Sequence, residues 1–328
     1  MLDASLASAA LRWSWDCLSP LDVLRRIEQA PIAGLAKLFG KWCRQADEVQ
    51  ADDQWRAAAS EAERTRLLSV RNEVGGRWLS DSAAQLSLMS SAHWRIAARL
   101  RLGLPVAETG TRCQHTYCGQ GPEAESRCLE PLDPQGVHAI ACAVGGGRLS
   151  RHSGVLRLVT GWLREAGYGS VVREVLVPEW RRKKDDGSFQ QAILDVRSEL
   201  HGFLAPRWLD VTIRVPGADL YAGGAAKTRG FAAMRGEAEK HKRYPPSAGL
   251  TCTPLSCEIF GTLGTTFAGC IAEWSAAASL ERQSFGLPAR ASRYRWFTEL
   301  SVSLAMHAAE SALLACTIAR GNDAHASK

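Results

Sequence analysis

Apolar residues recur at helical spacing through the first hundred positions, as at Leu21, Leu24 and Ile27 and again at Leu86, Met89, Ile96 and Leu100. That periodicity predicts amphipathic helices. Gly75-Gly76 separates one helical stretch from the next, and Leu104-Pro105 ends the last. Trp13, Trp15, Trp42, Trp55, Trp78 and Trp94 read as core anchors of this region rather than a stacking surface. From Thr109 to Gly147 the periodicity disappears, and Gly, Pro, Cys and polar residues take over. Such a unit has too little apolar surface to hold itself together and needs a staple.

Beyond it the pattern sharpens. Arg151 to Ala166 reads as a helix carrying Val155, Leu158, Val159, Trp162 and Leu163, closed by Gly167. Three strand-like runs follow, Ser170 to Val177, Gln191 to Arg197 and Arg207 to Val215. The first two are joined through Arg181-Arg182-Lys183-Lys184-Asp185-Asp186-Gly187, whose Asp-Gly marks a hairpin turn. A Gly- and Ala-rich loop over 217–230, a helix from Phe231 to Tyr244 stopped by Pro245-Pro246, a strand from Leu250 to Glu258 and a helix from Gly261 to Ser279 complete the series. The order α-β-β-β-α-β-α predicts an α/β fold, a mixed sheet flanked by helices, rather than a doubly wound parallel sheet. The expected organisation is a helical connector over 1–105, a zinc-binding segment over 106–148, a catalytic domain over 149–280 and a C-terminal helical tail over 281–328.

Composition narrows the class. With 328 residues, 46% apolar and 23% charged, the chain can bury two cores. Its longest apolar run, Ser301 to Arg320, is broken by His307 and Glu310, and Asp3 precedes the apolar N-terminal residues with no basic leader. Neither a membrane span nor a signal peptide is expected, which places the chain in the nucleus or elsewhere inside the cell. Ten cysteines are then thiols or metal ligands. Six of them, Cys17, Cys43, Cys252, Cys257, Cys270 and Cys316, sit in apolar surroundings. The net charge of +6 is concentrated: nine Lys/Arg against three Asp/Glu fall between Arg148 and Lys184, a footprint suited to nucleic acid.

Two constellations carry chemistry. Cys113 and Cys118 form one close pair and His138 and Cys142 another, with nineteen residues between, a spacing that closes a tetrahedral Cys3His zinc site. Cys128 and His115 are rival ligands, and replacing Cys128 is expected to leave zinc content unchanged. Separately, Asp195 in Ile193-Leu194-Asp195-Val196 and Asp210 in Leu209-Asp210-Val211 place acids in successive apolar strands. A lone acid in such a strand is costly unless it is paired or binds metal. Two acids can share a Mg2+ or Mn2+ ion for phosphodiester hydrolysis, with a cation steadying the developing charge. Glu174 is a third acid of this kind.

The ordered series Cys113/Cys118, Asp133-x-x-Gly136-x-His138-x3-Cys142, Arg151-His152, Glu174, Asp195 and Asp210-Val211-Thr212 resembles the restriction-like endonuclease of site-specific non-LTR (LINE-type) retrotransposons, part of the PD-(D/E)XK nuclease superfamily. Ala238-Glu239-Lys240-His241-Lys242-Arg243-Tyr244 resembles the helix that supplies this family's displaced lysine, and Glu258-Ile259-Phe260-Gly261-Thr262-Leu263-Gly264 its closing turn. Trp78-Leu79 and Arg99-Leu100-Arg101-Leu102-Gly103-Leu104-Pro105 resemble the connector to a reverse transcriptase domain, which this chain does not carry. The resemblance spans about residues 75–275. It implies a restriction-endonuclease-like fold and metal-dependent nicking of target DNA, with element RNA as a further partner. Asp195 and Asp210 would hold magnesium, Glu174 would assist, and Lys240 or Lys242 would supply the cation. Arg151, His152, Arg181, Arg182, Lys183, Lys184 and Lys242 would contact DNA. Thr212 stands where the superfamily has a lysine, and Ile193-Leu194 where the family has Arg-Pro. The alternative expectation is a catalytically dead, zinc-containing nucleic-acid-binding remnant of such an element. Within the helix, Ala233, Glu237, Lys240 and Tyr244 share one face, so Lys240 rather than Lys242 is expected at the acids.

Overall fold

The computed structural model describes residues 53–58, 60–80, 89–117, 126–200, 206–247, 249–286 and 292–316. The expected helices around Leu21–Ile27 and the residues Trp13, Trp15, Cys17, Trp42, Cys43, Leu86 and Cys118 lie outside these. By contacts the chain divides into two units, Met1–Ala59 and Ser60–Lys328, and all that follows concerns the second.

Its elements are helices α1 (Glu61–Val70), α2 (Arg77–Ser80), α3 (Ser91–Leu102), α4 (Val137–Ala141) and α5 (Gly147–Glu165), then strands β1 (Tyr168–Leu176), β2 (Arg182–Lys183), β3 (Phe189–Gln190), β4 (Ile193–Leu200) and β5 (Arg207–Arg214). Helices α6 (Ala222–Ala225) and α7 (Phe231–Arg243), strand β6 (Cys252–Glu258), and helices α8 (Thr265–Ser284) and α9 (Ser292–Cys316) complete it. The expected α-β-β-β-α-β-α order is present, with boundaries shifted by a few residues. The sheet runs β1-β4-β5-β6, antiparallel except for the parallel β5–β6 pair, so it is mixed. The Asp-Gly turn closes a separate two-stranded hairpin, β2–β3, between β1 and β4.

Each element follows from its apolar face. On α5, Val155, Leu156, Val159, Trp162 and Leu163 are buried against Val196, Leu209 and Val211 of the sheet and Leu300 and Leu304 of α9. Fully burying a Leu or Val contributes about 1.5–3 kcal/mol, so this layer anchors the unit. Trp162 and Trp296 stack with centroids 5.4 Å apart, joining α5 to α9. The segment expected as a C-terminal tail therefore supplies a wall of the same core. Its 25-residue helix is long because Trp296, Leu300, Leu304, Ala308, Ala312 and Ala315 hold one buried stripe at three- and four-residue spacing.

The connector helices are fastened at the strand-to-helix turn after β6. Asn72 Nδ2 donates to the Phe260 carbonyl at 2.9 Å, and Ser69 Oγ donates to Glu258 at 2.7 Å. A Cβ at Gly75 would lie 1.9 Å from the Phe260 oxygen, so only glycine permits this approach. Trp78 is buried as expected, whereas Trp94 is 42% exposed and meets Trp78 edge-on at 6.0 Å. Among the described residues, no helix is long and apolar enough to cross a membrane.

Candidate functional site

The zinc segment is a ribbon with little core of its own. Residues 112–117 and 126–131 run antiparallel, with Cys113 N donating to Glu130 O at 2.8 Å, Leu129 N to Cys113 O at 3.0 Å and Cys128 N to His115 O at 2.9 Å. This pairing sets Cys128 across from His115, two residues along the ribbon from Cys113. Asp133 accepts from the N–H groups of Val137 (2.9 Å) and His138 (2.7 Å), fixing the start of α4 and so the height of His138.

Four ligand atoms, from Cys113, Cys128, His138 and Cys142, then lie within 4.8 Å of one another. Cys113 Sγ is 3.9 Å from Cys142 Sγ, and Cys128 Sγ is 3.4 Å from His138 Nε2. A tetrahedron with zinc–sulfur bonds of about 2.3 Å has sulfur–sulfur edges of roughly 3.8 Å, so the set fits zinc. Burial raises the Cys113 thiol and pushes Cys142 up to about 12. Metal-free thiols there stay protonated, and a bound cation must displace those protons. Among the described residues Cys128, held in place by the ribbon pairing, joins the cluster, and Cys118, the expected ligand, lies outside them. His115 instead points Nε2 at the Ser311 carbonyl of α9, 3.0 Å away, and Nδ1 at Cys113 Sγ, 3.4 Å away.

The acids meet where two strands part. Strands β4 and β5 pair at Val196–Leu209, Arg197–Trp208 and Ser198–Arg207, and the described pairing stops short of Asp195 and Asp210. In the opening, Asp195 Oδ2 accepts the Val211 N–H at 2.6 Å, replacing the ladder partner that the fork removes. The same oxygen lies 3.0 Å from His152 Nε2 on α5. Asp210, 3% exposed, is paired with the Lys240 amine of α7. Gly236 lets that helix sit close to the sheet, since a Cβ there would lie 2.5 Å from Ser256 Oγ of β6. Burial raises the Asp210 carboxyl, and the opposing Lys240 charge does not cancel this. Lys240 Nζ also lies 5.8 Å from the centre of the buried Tyr244 ring, which packs on Trp180 at 5.4 Å.

Lys240 pairs with Asp210, one of the two acids expected to meet its helical face, and Lys242 is exposed. Glu174 lies between the β1–β4 pairs Arg173–Val196 and Val175–Leu194, across from Asp195, but is exposed and has the left-handed φ of 55°. Among the described residues no contact joins its carboxylate to the other acids. Arg181, Arg182, Lys183 and Lys184 are all exposed on the hairpin. Arg151 departs from expectation: its side chain is buried, donates to the Ile140 carbonyl at 3.3 Å, and is pushed down to about 10 by desolvation. A guanidinium enclosed in this way offers nothing to a DNA phosphate. His152, expected at a phosphate, faces Asp195 instead.

The hydrogen bond that the His152 imidazole makes to the Asp195 carboxylate raises the His152 pKa, with burial opposing. A raised imidazole pKa contributes stability below the unfolded value of about 6.5, and that stability is lost as pH climbs through the folded value. Denaturation between about pH 6 and 8 should show the unaltered chain losing stability relative to His152→Gln as pH rises. Parallel curves would mean that the pair carries no charge.

Two carboxylates at a strand fork are a donor set of the kind magnesium takes, which is commonly held by one or two carboxylates, waters and substrate phosphate. Asp210 Oδ2 is buried and already meets the Lys240 amine, so a metal there would share that oxygen with the lysine. No family model matches this chain, and no curated protein is significantly similar to it.

Proposed function

We propose that the chain is a metal-dependent DNA endonuclease with a structural zinc segment, arranged in the manner of the restriction-like enzymes it resembles. The observation that carries this reading is the convergence of Asp195, Asp210 and the Lys240 amine at one fork in the sheet. One buried and one half-buried acid with a lysine at a strand opening are expensive for stability alone and are suited to phosphoryl chemistry. Asp195 and Asp210 would hold a Mg2+ or Mn2+ ion, whose role is to polarise the phosphodiester and lower the pKa of water. Lys240 moves a positive charge toward the phosphate oxygens, filling the role that Thr212 cannot. His152 orients Asp195 through Nε2. Target-site nicking by a retrotransposon protein, acting in the nucleus, is the setting this reading implies.

A second reading rests on the same contacts. Asp195 is already satisfied by Val211 and His152, and Asp210 is paired with Lys240, as in a structural network. The chain would then bind nucleic acid without cutting it. Nicking of supercoiled plasmid with Mg2+ or Mn2+ supports the first reading, and binding with no nicking supports the second.

Both readings use the hairpin. Arg181, Arg182, Lys183 and Lys184 contact backbone phosphates with little base preference. Replacing all four with glutamine should lower the slope of log binding constant against log salt by up to about 3.6 for duplex DNA. An unchanged slope would reduce the hairpin to a solvated loop.

A further inference from the structure

The hairpin has a feature that phosphate contacts leave unused. Every residue from Arg181 to Gln191 is exposed, including Phe189, which is 52% exposed. Strands of two residues each have no core in which to place that ring. Lys183 stands opposite Phe189 in the ladder and Arg182 opposite Gln190. The Arg181 guanidinium carbon lies 4.9 Å from the Phe189 ring centre. The turn is braced by Asp186, which accepts from the Ser188 N–H at 2.8 Å and from its hydroxyl at 2.6 Å. The aromatic surface is thus presented on a closed turn among four cations.

Its base is also fixed with respect to the acids. Trp180, just before β2, is buried and donates Nε1–H to the Pro245 carbonyl at 2.7 Å. Arg182 donates to the Lys242 carbonyl at 3.5 Å, and the Trp180 ring packs on Tyr244, the residue beneath Lys240. A strand held at the acid fork would have neighbouring nucleotides within reach of the hairpin.

We propose that Phe189, with Arg181, is a stacking platform for an unpaired nucleobase next to the acid site. An exposed aromatic ring offers a π-face that any base can cover, and adjacent Arg and Lys side chains take the phosphates of the same strand. Bases inside an intact duplex are already stacked and present no free face, so the favoured partner is a bubble, flap or single strand. This rests on the nucleic-acid reading above and adds to it the class of substrate.

The test measures binding of the full chain by fluorescence anisotropy to three probes: a duplex, the same duplex with a central unpaired bubble, and a single strand carrying 2-aminopurine. Phe189→Ala should weaken bubble and single-strand binding roughly tenfold while duplex binding stays within about twofold. It should also abolish quenching of the 2-aminopurine emission, and Phe189→Trp should restore both signals. Equal loss on all probes, or no loss on any, overturns the platform while leaving nucleic-acid binding intact. No binding of any probe by the unaltered chain overturns the platform and the functional reading together.

Discussion

Replacing Cys128 with serine is expected to lower zinc affinity at least ~10^3-fold, about 4 kcal/mol. The reason is geometric: Cys128 Sγ lies 3.4 Å from His138 Nε2 and belongs to the set of four ligand atoms within 4.8 Å. The effect should spread beyond the ribbon, because Cys113 and Cys142 are buried within the main core and Gln114 N donates to Ala315 O of α9 at 3.0 Å. Competition with a chromophoric chelator would read the affinity, and proteolysis would read loss of protection over 109–147. Cys316→Ser, distant from the cluster in the chain, is the control and should keep its zinc. If Cys128→Ser retains full zinc while Cys118→Ser loses it, the fourth place reverts to Cys118.

The difference between those two cysteines shows where sequence reading stops. Spacing alone favoured Cys118, because close pairs are the usual way to bring two ligands together. Cys128 enters the cluster through backbone pairing of 112–117 with 126–131, and no periodicity in so short and polar a ribbon announces that register. By contrast, α5, β4, β5, α7 and β6 were legible because their apolar residues repeat at the helical or strand period and Gly or Pro ends them. The position of Lys240 followed from the same periodicity, three and four residues from Glu237 and Tyr244 along one face. Arg151 was misread because neighbouring Arg and His residues at a helix start look like a phosphate contact. The helix begins a turn earlier, at Gly147, so Arg151 lies inside it and is enclosed at the Ile140 carbonyl, while His152 turns toward Asp195. The role of α9 was hidden for a similar reason, since its apolar stripe does not say which core it joins.

The second large effect concerns Asp210 and Lys240, whose single and double replacements should separate catalysis from support of the fold. Asp210→Asn is expected to cut metal-dependent nicking roughly 10^3-fold while DNA affinity stays within about twofold. It should not weaken the fold. Burial raises the Asp210 pKa, so ionising this carboxyl costs more in the folded chain than in the unfolded one. A raised carboxyl pKa makes stability fall as pH rises from the unfolded value of about 3.9 through the folded one, leaving a net cost at neutral pH that asparagine removes. Lys240→Met should lower nicking to a similar extent and also destabilise the chain by about 3 kcal/mol, because it leaves the Asp210 charge buried without its partner. The double variant Asp210→Asn/Lys240→Met should recover most of that stability and none of the nicking. A pair serving only the fold gives another pattern: the double variant recovers stability, and nicking by all three variants follows the folded fraction. Urea denaturation measured beside plasmid nicking distinguishes the two. If the unaltered chain binds DNA but never nicks it, the pair belongs to a binding protein whose acids are held shut by Lys240 and His152.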